Sequence, residues 1–82
     1  MKTIREEVLK NLGFIHHSEY EWRLPLPFGN DVELSFEVDN NEIVLLRDHL
    51  CDGIKTGDID YCYLRTVKDE TDLIMLIKAI VL

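Results

Sequence analysis

Two histidines and two glutamates lie within FIHHSEYEW, residues 14–22, and both side-chain types can bind metals or carry protons during catalysis. If this stretch forms a single β-strand, alternation places His17, Glu19 and Glu21 on one face. Same-face neighbours are about 6.5–7 Å apart, whereas metal–ligand bonds are about 2.0–2.3 Å long, so a metal site here needs a further ligand from an adjacent strand. The alternatives are a metal-dependent enzyme site and a solvated polar face. The opposite face carries Phe14, His16, Ser18, Tyr20 and Trp22.

A second group with catalytic side-chain types is His49, Cys51 and Cys62, with Asp48 or Asp52 nearby. A Cys–His pair can supply a nucleophile and its base, and two cysteines, a histidine and a carboxylate can hold zinc. The spacing lacks the C-x-x-C pattern of zinc motifs, which weakens the zinc interpretation. A thiol enzyme using His49 and Cys51 is a competing hypothesis to a binding protein. Cys62, inside a predicted strand, is interpreted as a small core residue, and both thiols are expected to be free.

The size and composition of the chain favour a binding protein over an enzyme. Its 82 residues are expected to form one domain over residues 1–82, too small for a deep core beside an elaborate cleft. The longest apolar run, residues 73–82, is about half of the roughly 20 residues that a membrane helix needs, and the first residues lack an apolar signal core. We therefore expect a soluble, cytoplasmic protein that needs no cofactor.

The charge distribution narrows the class of partner. The net charge of −7 argues against direct binding to nucleic acid or to an anionic membrane, because both require a basic surface. Residues 16–42 contain seven acidic residues and one arginine, whereas residues 1–15 carry a small positive charge. This concentration of acidic residues favours binding to a basic protein partner.

The first quarter of the chain predicts a helix followed by a strand. Thr3 and Glu6 fit a capping box, in which both side chains bind amide groups at a helix start. Apolar residues recur at helical spacing over residues 4–12, and Gly13 is suited to end the helix in the left-handed conformation. The strand that follows is expected to end at Pro25, because proline cannot donate to a β-ladder.

The next two predicted strands form a hairpin. Residues 31–39 alternate, with apolar side chains on one face and mainly acidic ones on the other. Asn40 and Asn41 suit a two-residue turn, because asparagine tolerates positive φ. Such a turn places Phe36 opposite Leu45.

The last part of the chain predicts a loop, a fourth strand and a helix. Residues 48–58 show no period and are predicted to be a loop, whereas residues 59–65 alternate as a strand. Thr66 can cap the final helix together with Asp69. The fold class is therefore α+β, with an N-terminal helix, a four-stranded antiparallel meander and a C-terminal helix, the helices being packed on one face of the sheet.

The strongest functional signal is the group of acidic side chains that adjacent strands are predicted to place on one face of the sheet. Carboxylates on neighbouring strands repel, and a protein tolerates this repulsion most readily when the field attracts a basic partner. The alternative is an acidic exterior that only keeps the protein soluble. The adjacent outward-facing Val44 and Leu46, which Tyr61 and Tyr63 could join, favour an interface. The predicted partner-binding residues are Glu19, Glu21, Glu33, Glu37, Asp39, Val44 and Leu46.

The final helix is apolar on two sides. One stripe includes Leu73 and Ile77, and Ile74, Met75 and Val81 lie on the opposite side. We predict a homodimer with Ile74, Met75 and Val81 at its interface, which could have a purely structural role. The alternative is that the chain itself covers both sides of the helix.

The order of these elements resembles that of small uncharacterised proteins of phages and mobile elements. The likeness comprises a helix ending in Leu12-Gly13-Phe14, an aromatic strand with Trp22, a meander, and a helix introduced by TVKD from Thr66. Such proteins often bind and inhibit a host factor, and some acidic ones imitate nucleic acid. The resemblance thus implies a non-enzymatic inhibitor that presents its acidic face to a basic host protein.

Overall fold

The computed structural model describes residues 4–29 and 31–81, which form an α+β fold with one antiparallel sheet. The described elements are α1 (Glu6–Leu12), β1 (Ile15–Ser18), β2 (Glu21–Pro25), β3 (Val32–Glu37), β4 (Glu42–Cys51), β5 (Ile54–Thr66) and α2 (Glu70–Val81). The strands follow one another in the sheet in chain order, so the predicted meander is confirmed. The predicted number of four strands is wrong, because the sheet has five.

The first helix ends where the sequence predicts. Gly13 has φ 100°, and the N–H of Phe14 donates to the carbonyl of Leu9 at 3.0 Å, which closes the helix end. The helix begins at Glu6, later than predicted, and the predicted cap at Thr3 lies outside the described residues. The turn at Gly13 directs the chain from α1 into the sheet.

The predicted first strand is two strands joined by a tight turn. Ser18 pairs with Glu21, so Glu19 and Tyr20 form the turn rather than the middle of a strand. The turn contains no Gly, Pro or Asn, and therefore no turn signal interrupts the alternating pattern. A hydrogen bond from the residue that follows β3 helps to hold this turn, because the N–H of Val38 donates to the carbonyl of Tyr20 at 3.0 Å.

The hairpin between β3 and β4 has a longer turn than predicted. Its connection spans residues 38–41, and Asn41 alone among these adopts positive φ, at 54°. Phe36 therefore faces Ile43, and Leu45 faces Leu34, which shifts the predicted register by two residues. A shift of two preserves the faces, because side chains alternate with a period of two.

The predicted loop over residues 48–58 is the end of a long hairpin. β4 and β5 continue to a turn at Asp52 and Gly53, whose φ values of 53° and 80° match those of a type I′ turn. Asp-Gly is a strong hairpin signal, but the flanking residues lack the alternation that would have revealed the strands. The hairpin leaves β5, with 13 residues, at one edge of the sheet.

One sheet face, which we call the core face, carries Trp22, Leu24, Leu34, Phe36 and Ile43. These side chains are buried in a single cluster that also contains residues from both helices. The rings of Phe14 and Phe36 meet edge to face, with their centroids 6.4 Å apart. The buried cluster therefore combines apolar side chains from one face of the sheet with apolar side chains of both helices.

The cap of the second helix lies three residues after the predicted one. Thr66 is the last residue of β5, and Asp69 caps the helix instead, accepting a hydrogen bond from the N–H of Asp72 at 2.8 Å. The carboxylate of Asp72 also accepts from Arg65 at 2.6 Å, which ties the helix start to the end of β5. Within residues 4–29 and 31–81, no helix is long and apolar enough to cross a membrane.

The helices are also joined through Arg5 and Glu70. The main-chain N–H and the guanidinium of Arg5 donate to the Glu70 carboxylate over 2.8–3.1 Å. The side-chain and backbone hydrogen bonds from Arg5 lower the pKa of Glu70. The start of α1 is thus tied to the start of α2.

Candidate functional site: the acidic face of the sheet

The sheet face opposite the core face, which we call the acidic face, is assembled by register across four strands. Directly paired residues share a face, so the pairing carries the pattern from β2 to β5. The acidic face carries Glu21 and Arg23 of β2, Glu33, Ser35 and Glu37 of β3, Glu42, Val44 and Leu46 of β4, and Tyr61 and Tyr63 of β5.

Three carboxylates lie in one row across this face. Glu21 pairs with Glu37, and Glu37 pairs with Glu42, on three consecutive strands. Directly opposite side chains have Cβ atoms about 4.5–5.5 Å apart, a distance at which like charges repel. Glu19 and Asp39 lie in the turns at the same end of the sheet, and both are exposed. This end of the acidic face therefore concentrates negative charge.

Glu21 differs from the other carboxylates of the row because it has partners on the face itself. Its Oε2 accepts from Arg23 Nε at 2.9 Å and from Ser35 Oγ at 2.6 Å, and the Ser35 side chain is buried. Burial alone would raise the pKa of Glu21. The hydrogen bonds from Arg23 and Ser35, with the positive charges of Arg23 and His17, outweigh burial and lower that pKa. Glu21 thus stays ionised as part of the fold.

The apolar residues that are exposed on the acidic face are not the ones that were predicted to be exposed. Val44 and Leu46 lie on this face as predicted, but both are buried instead of forming outward anchors. Their partners on β5 are Tyr63 and Tyr61, which are 55% and 70% exposed. Central strands are flanked on both sides, whereas the edge strand has a neighbour on one side only. The exposed aromatic area therefore belongs to the tyrosines of β5.

A shallow depression lies at the acidic end of this face. Its lining includes Tyr20 from the β1–β2 turn and the carboxylates of Glu21, Glu37 and Asp39. The sequence predicted these three acids but missed Tyr20, which it placed on the core side, and Glu42, which completes the row. Neither residue belongs to a motif: the β1–β2 turn places Tyr20 here, and pairing with Glu37 places Glu42 in the row.

The predicted histidine site does not assemble. His17 lies at an irregularity in β1, Glu19 lies in the turn, and Glu21 is bound to Arg23 and Ser35. In the described part of the chain, no three His, Cys, Asp or Glu side chains are grouped so that they could hold a metal ion. His16 is exposed, and its ring centroid lies 4.8 Å from that of Trp22, with which it pairs in the sheet.

The second predicted group is dispersed along the β4–β5 hairpin. His49 Nδ1 lies 3.3 Å from Thr56 Oγ1, and Cys51 lies next to the turn, paired with Ile54. Cys62 pairs with Leu45 much farther from that turn. Both thiols are free and exposed, so the interpretation of Cys62 as a core residue is wrong. Cys62 is exposed because β5 is an edge strand, with a neighbouring strand on one side only.

The predicted dimer surface on α2 lies on the exposed side of that helix. Leu73 and Ile77 are buried in the core. Met75 and Val81 are exposed, and Ile74 is half-buried. The helix thus has a covered side and an uncovered apolar side, and its role in a dimer stays a prediction.

No family model, curated protein or solved structure matches this chain. The geometry of the acidic face therefore carries the functional argument.

Proposed function

We propose that this protein is a non-enzymatic binding protein that presents its acidic face to a basic protein partner. The observation that carries the proposal is the row formed by Glu21, Glu37 and Glu42 on three adjacent strands. The row costs free energy through repulsion, and attraction to a partner would recover that cost. Arg23 offsets part of the charge of Glu21 and Glu33, from which it lies 2.9 and 4.0 Å, so the excess of carboxylates over this one cation supplies the field that a basic partner meets.

The composition of the acidic face also supports binding. Tyr61 and Tyr63 offer exposed aromatic surface beside the acid, and tyrosine is enriched at protein interfaces because it is rigid and has a polar end. We infer that both helices cover the core face, since their buried residues share one cluster with it. Such packing would leave the acidic face free for a partner.

The resemblance to small phage and mobile-element proteins extends the proposal to inhibition. An acidic surface that attracts a basic host protein can occupy the site where that protein would bind nucleic acid. Carboxylates spaced along a sheet can imitate phosphates in such a complex, because both present negative oxygen atoms to Lys and Arg. The proposed function is thus inhibition by binding, with no chemical step.

The proposal is tested with charge reversals on the acidic face. The wild-type protein and a Glu33→Lys/Glu37→Lys variant would be immobilised and exposed to lysate from the source of the sequence, at low and at high salt. We expect basic proteins retained by the wild type at low salt to be lost with the variant, because the variant reverses the local field. Equal retention by both proteins at either salt concentration would refute the electrostatic proposal.

A matched control separates local charge from net charge. Glu37→Lys and Glu7→Lys change the net charge equally, but Glu7 is an exposed residue of α1. We expect Glu37→Lys to weaken retention of the basic partner and Glu7→Lys to leave most of it. If both substitutions weaken retention equally, the acid acts through net charge alone, and the acidic face is not a specific site.

A further inference from the structure

We propose that two copies of this chain associate through β5, whose free edge pairs antiparallel with that of the second copy around a twofold axis at Tyr61. The two sheets would then form one continuous sheet. This inference does not depend on the proposed function, because it concerns an edge of the sheet rather than the acidic row.

The two edges of the sheet differ in how well they are protected. An edge strand presents unpaired N–H and C=O groups, and natural proteins commonly shorten, bulge or charge such strands to prevent pairing with another chain. β1 is short, with four residues, and its pairing is irregular. β5 has 13 residues and carries exposed apolar or aromatic side chains at Ile54, Tyr61, Tyr63 and Leu64. Of the two edges, β5 is the one open to pairing.

The part of β5 suited to pairing is bounded by two irregularities. The β4–β5 register is interrupted between Ile43 and Val44 and again between Asp48 and Leu50. Between these points, residues 59–63 pair one to one with β4. Regular backbone favours an added strand, whereas bulges bend and twist the edge away. The regular segment therefore sets where a second copy can pair.

One antiparallel register superimposes this regular segment on itself completely. It places Tyr61 opposite Tyr61 of the second copy, Ile59 opposite Tyr63, and Asp60 opposite Cys62. Paired side chains then share a face, as an antiparallel sheet requires. Moving the axis to Asp60 would place two carboxylates opposite each other, which is unfavourable. The register centred on Tyr61 avoids that repulsion and pairs aromatic with aromatic.

The charge of the segment favours a second copy as the occupant. Residues 59–63 contain a single charged residue, Asp60, which lies opposite Arg47 in the β4–β5 register. Elsewhere on β5, Lys55 and Arg65 form ion pairs within the chain. A basic partner would be attracted to the acidic face, whereas this nearly neutral aromatic edge can meet an identical edge with little repulsion. A twofold axis normal to the sheet also leaves both acidic faces on the same side of the assembly.

Sedimentation of point variants tests the inference. Tyr61 is 70% exposed, so Tyr61→Lys is expected to leave the fold intact while placing two ammonium groups together at the axis. We expect the wild type to form a dimer in moderate salt and Tyr61→Lys to sediment as a monomer. Tyr20→Lys is the matched control, because Tyr20 is an exposed tyrosine away from β5, and it should remain dimeric.

Three outcomes would overturn the inference. The first is a wild type that stays monomeric at all accessible concentrations. The second is a Tyr61→Lys variant that still dimerises. The third is a dimer that Met75→Glu dissociates while Tyr61→Lys does not, which would place the interface on α2.

Thiol cross-linking tests the register even if Tyr61→Lys fails to fold. In a Cys51→Ser/Cys62→Ser background, Tyr61→Cys would place a thiol opposite its own copy, within reach of a short bismaleimide. Tyr63→Cys would face Ile59 instead. We expect covalent dimers to form about tenfold faster, or more, at position 61 than at position 63. The reason is that the effective concentration of one thiol near the other is higher when the two face each other. Equal rates, or faster cross-linking at position 63, would contradict the proposed axis.

Discussion

The two faces of the sheet are made by the same strands and yet depend on different interactions. On the core face, Trp22, Leu34 and Phe36 are excluded from water together with residues of both helices. On the acidic face, the buried residues lie under a surface of carboxylates and tyrosines. Alternation separates the two sets completely, because neighbouring residues point to opposite sides. One strand can therefore carry core residues on one side and charged, solvent-facing residues on the other.

Some residues of the acidic face are buried, and they form a middle layer between the core and the charged surface. Ser35, Val44 and Leu46 are buried, although they point away from the core. Ser35 is bound to Glu21, whose other partner is Arg23. This layer links the charged surface to the fold, so substitutions there should have intermediate effects.

The largest effect is expected from truncating the core face. Phe36→Ala should lower the free energy of unfolding by about 3–5 kcal/mol, because it removes a fully buried ring and leaves a cavity. Tyr63→Ala on the acidic face, where the ring is more than half exposed, should cost about 1 kcal/mol or less. Urea unfolding followed by tryptophan fluorescence measures both values. Similar losses would show that the faces are not energetically distinct.

A smaller loss is expected in the middle layer. Ser35→Ala removes a hydrogen bond to a carboxylate, and such bonds contribute about 1.5–3 kcal/mol, so we expect a loss near the lower end because Arg23 remains bound to Glu21. Ser18→Ala, at an exposed position of β1, is the control and should change stability by less than about 0.5 kcal/mol. Equal effects at both serines would mean that the Ser35 hydroxyl is not important for stability.

The same layer should make stability depend on pH. The pKa of Glu21 is lower in the fold than its ordinary value of 4.5, so ionised Glu21 stabilises the native state above the unfolded pKa. This contribution should disappear as the pH falls through the lowered folded pKa. Because other carboxylates, such as Glu70 and Asp72, also have lowered pKa values, the wild type must be compared with Glu21→Gln.

The measurement for Glu21 is the urea midpoint as a function of pH. We expect the wild type to be more stable than Glu21→Gln at neutral pH and the difference to shrink below pH 4.5. A difference that stays constant from neutral to acidic pH would show that the carboxylate's ionisation is not linked to folding.

The smallest effect on stability is expected from the acidic row itself. Glu37→Lys should change the free energy of unfolding by less than about 0.5 kcal/mol, and any gain should be greatest at low salt, because the substitution relieves repulsion with Glu21 and Glu42. The same urea measurement, made at low and high salt with Glu7→Lys as control, checks this. A large destabilisation would assign Glu37 to the fold rather than to recognition.

Several features of the fold could be predicted because they depend on local chemistry. Alternation over residues 31–39 indicates which side chains face the core, and Gly13 ends the first helix because only glycine adopts its conformation readily. Of the candidate site, the acidic residues of β2 and β3 could be assigned to one face, since parity alone separates faces. Tyr61 and Tyr63 could be placed beside Val44 and Leu46, and the register bears this out, whereas Glu42 was missed because its position opposite Glu37 depends on the length of the β3–β4 turn.

The sequence by itself determined the α+β class, the meander and the concentration of acid between residues 16 and 42, because composition and period are local properties. The tertiary structure alone decided the number of strands, the register and the exposure of each face. The turn at Glu19 and Tyr20 is held partly by a bond from Val38, and Val44 is buried by neighbours on two other strands. Such contacts join residues distant in sequence, so no local pattern records them.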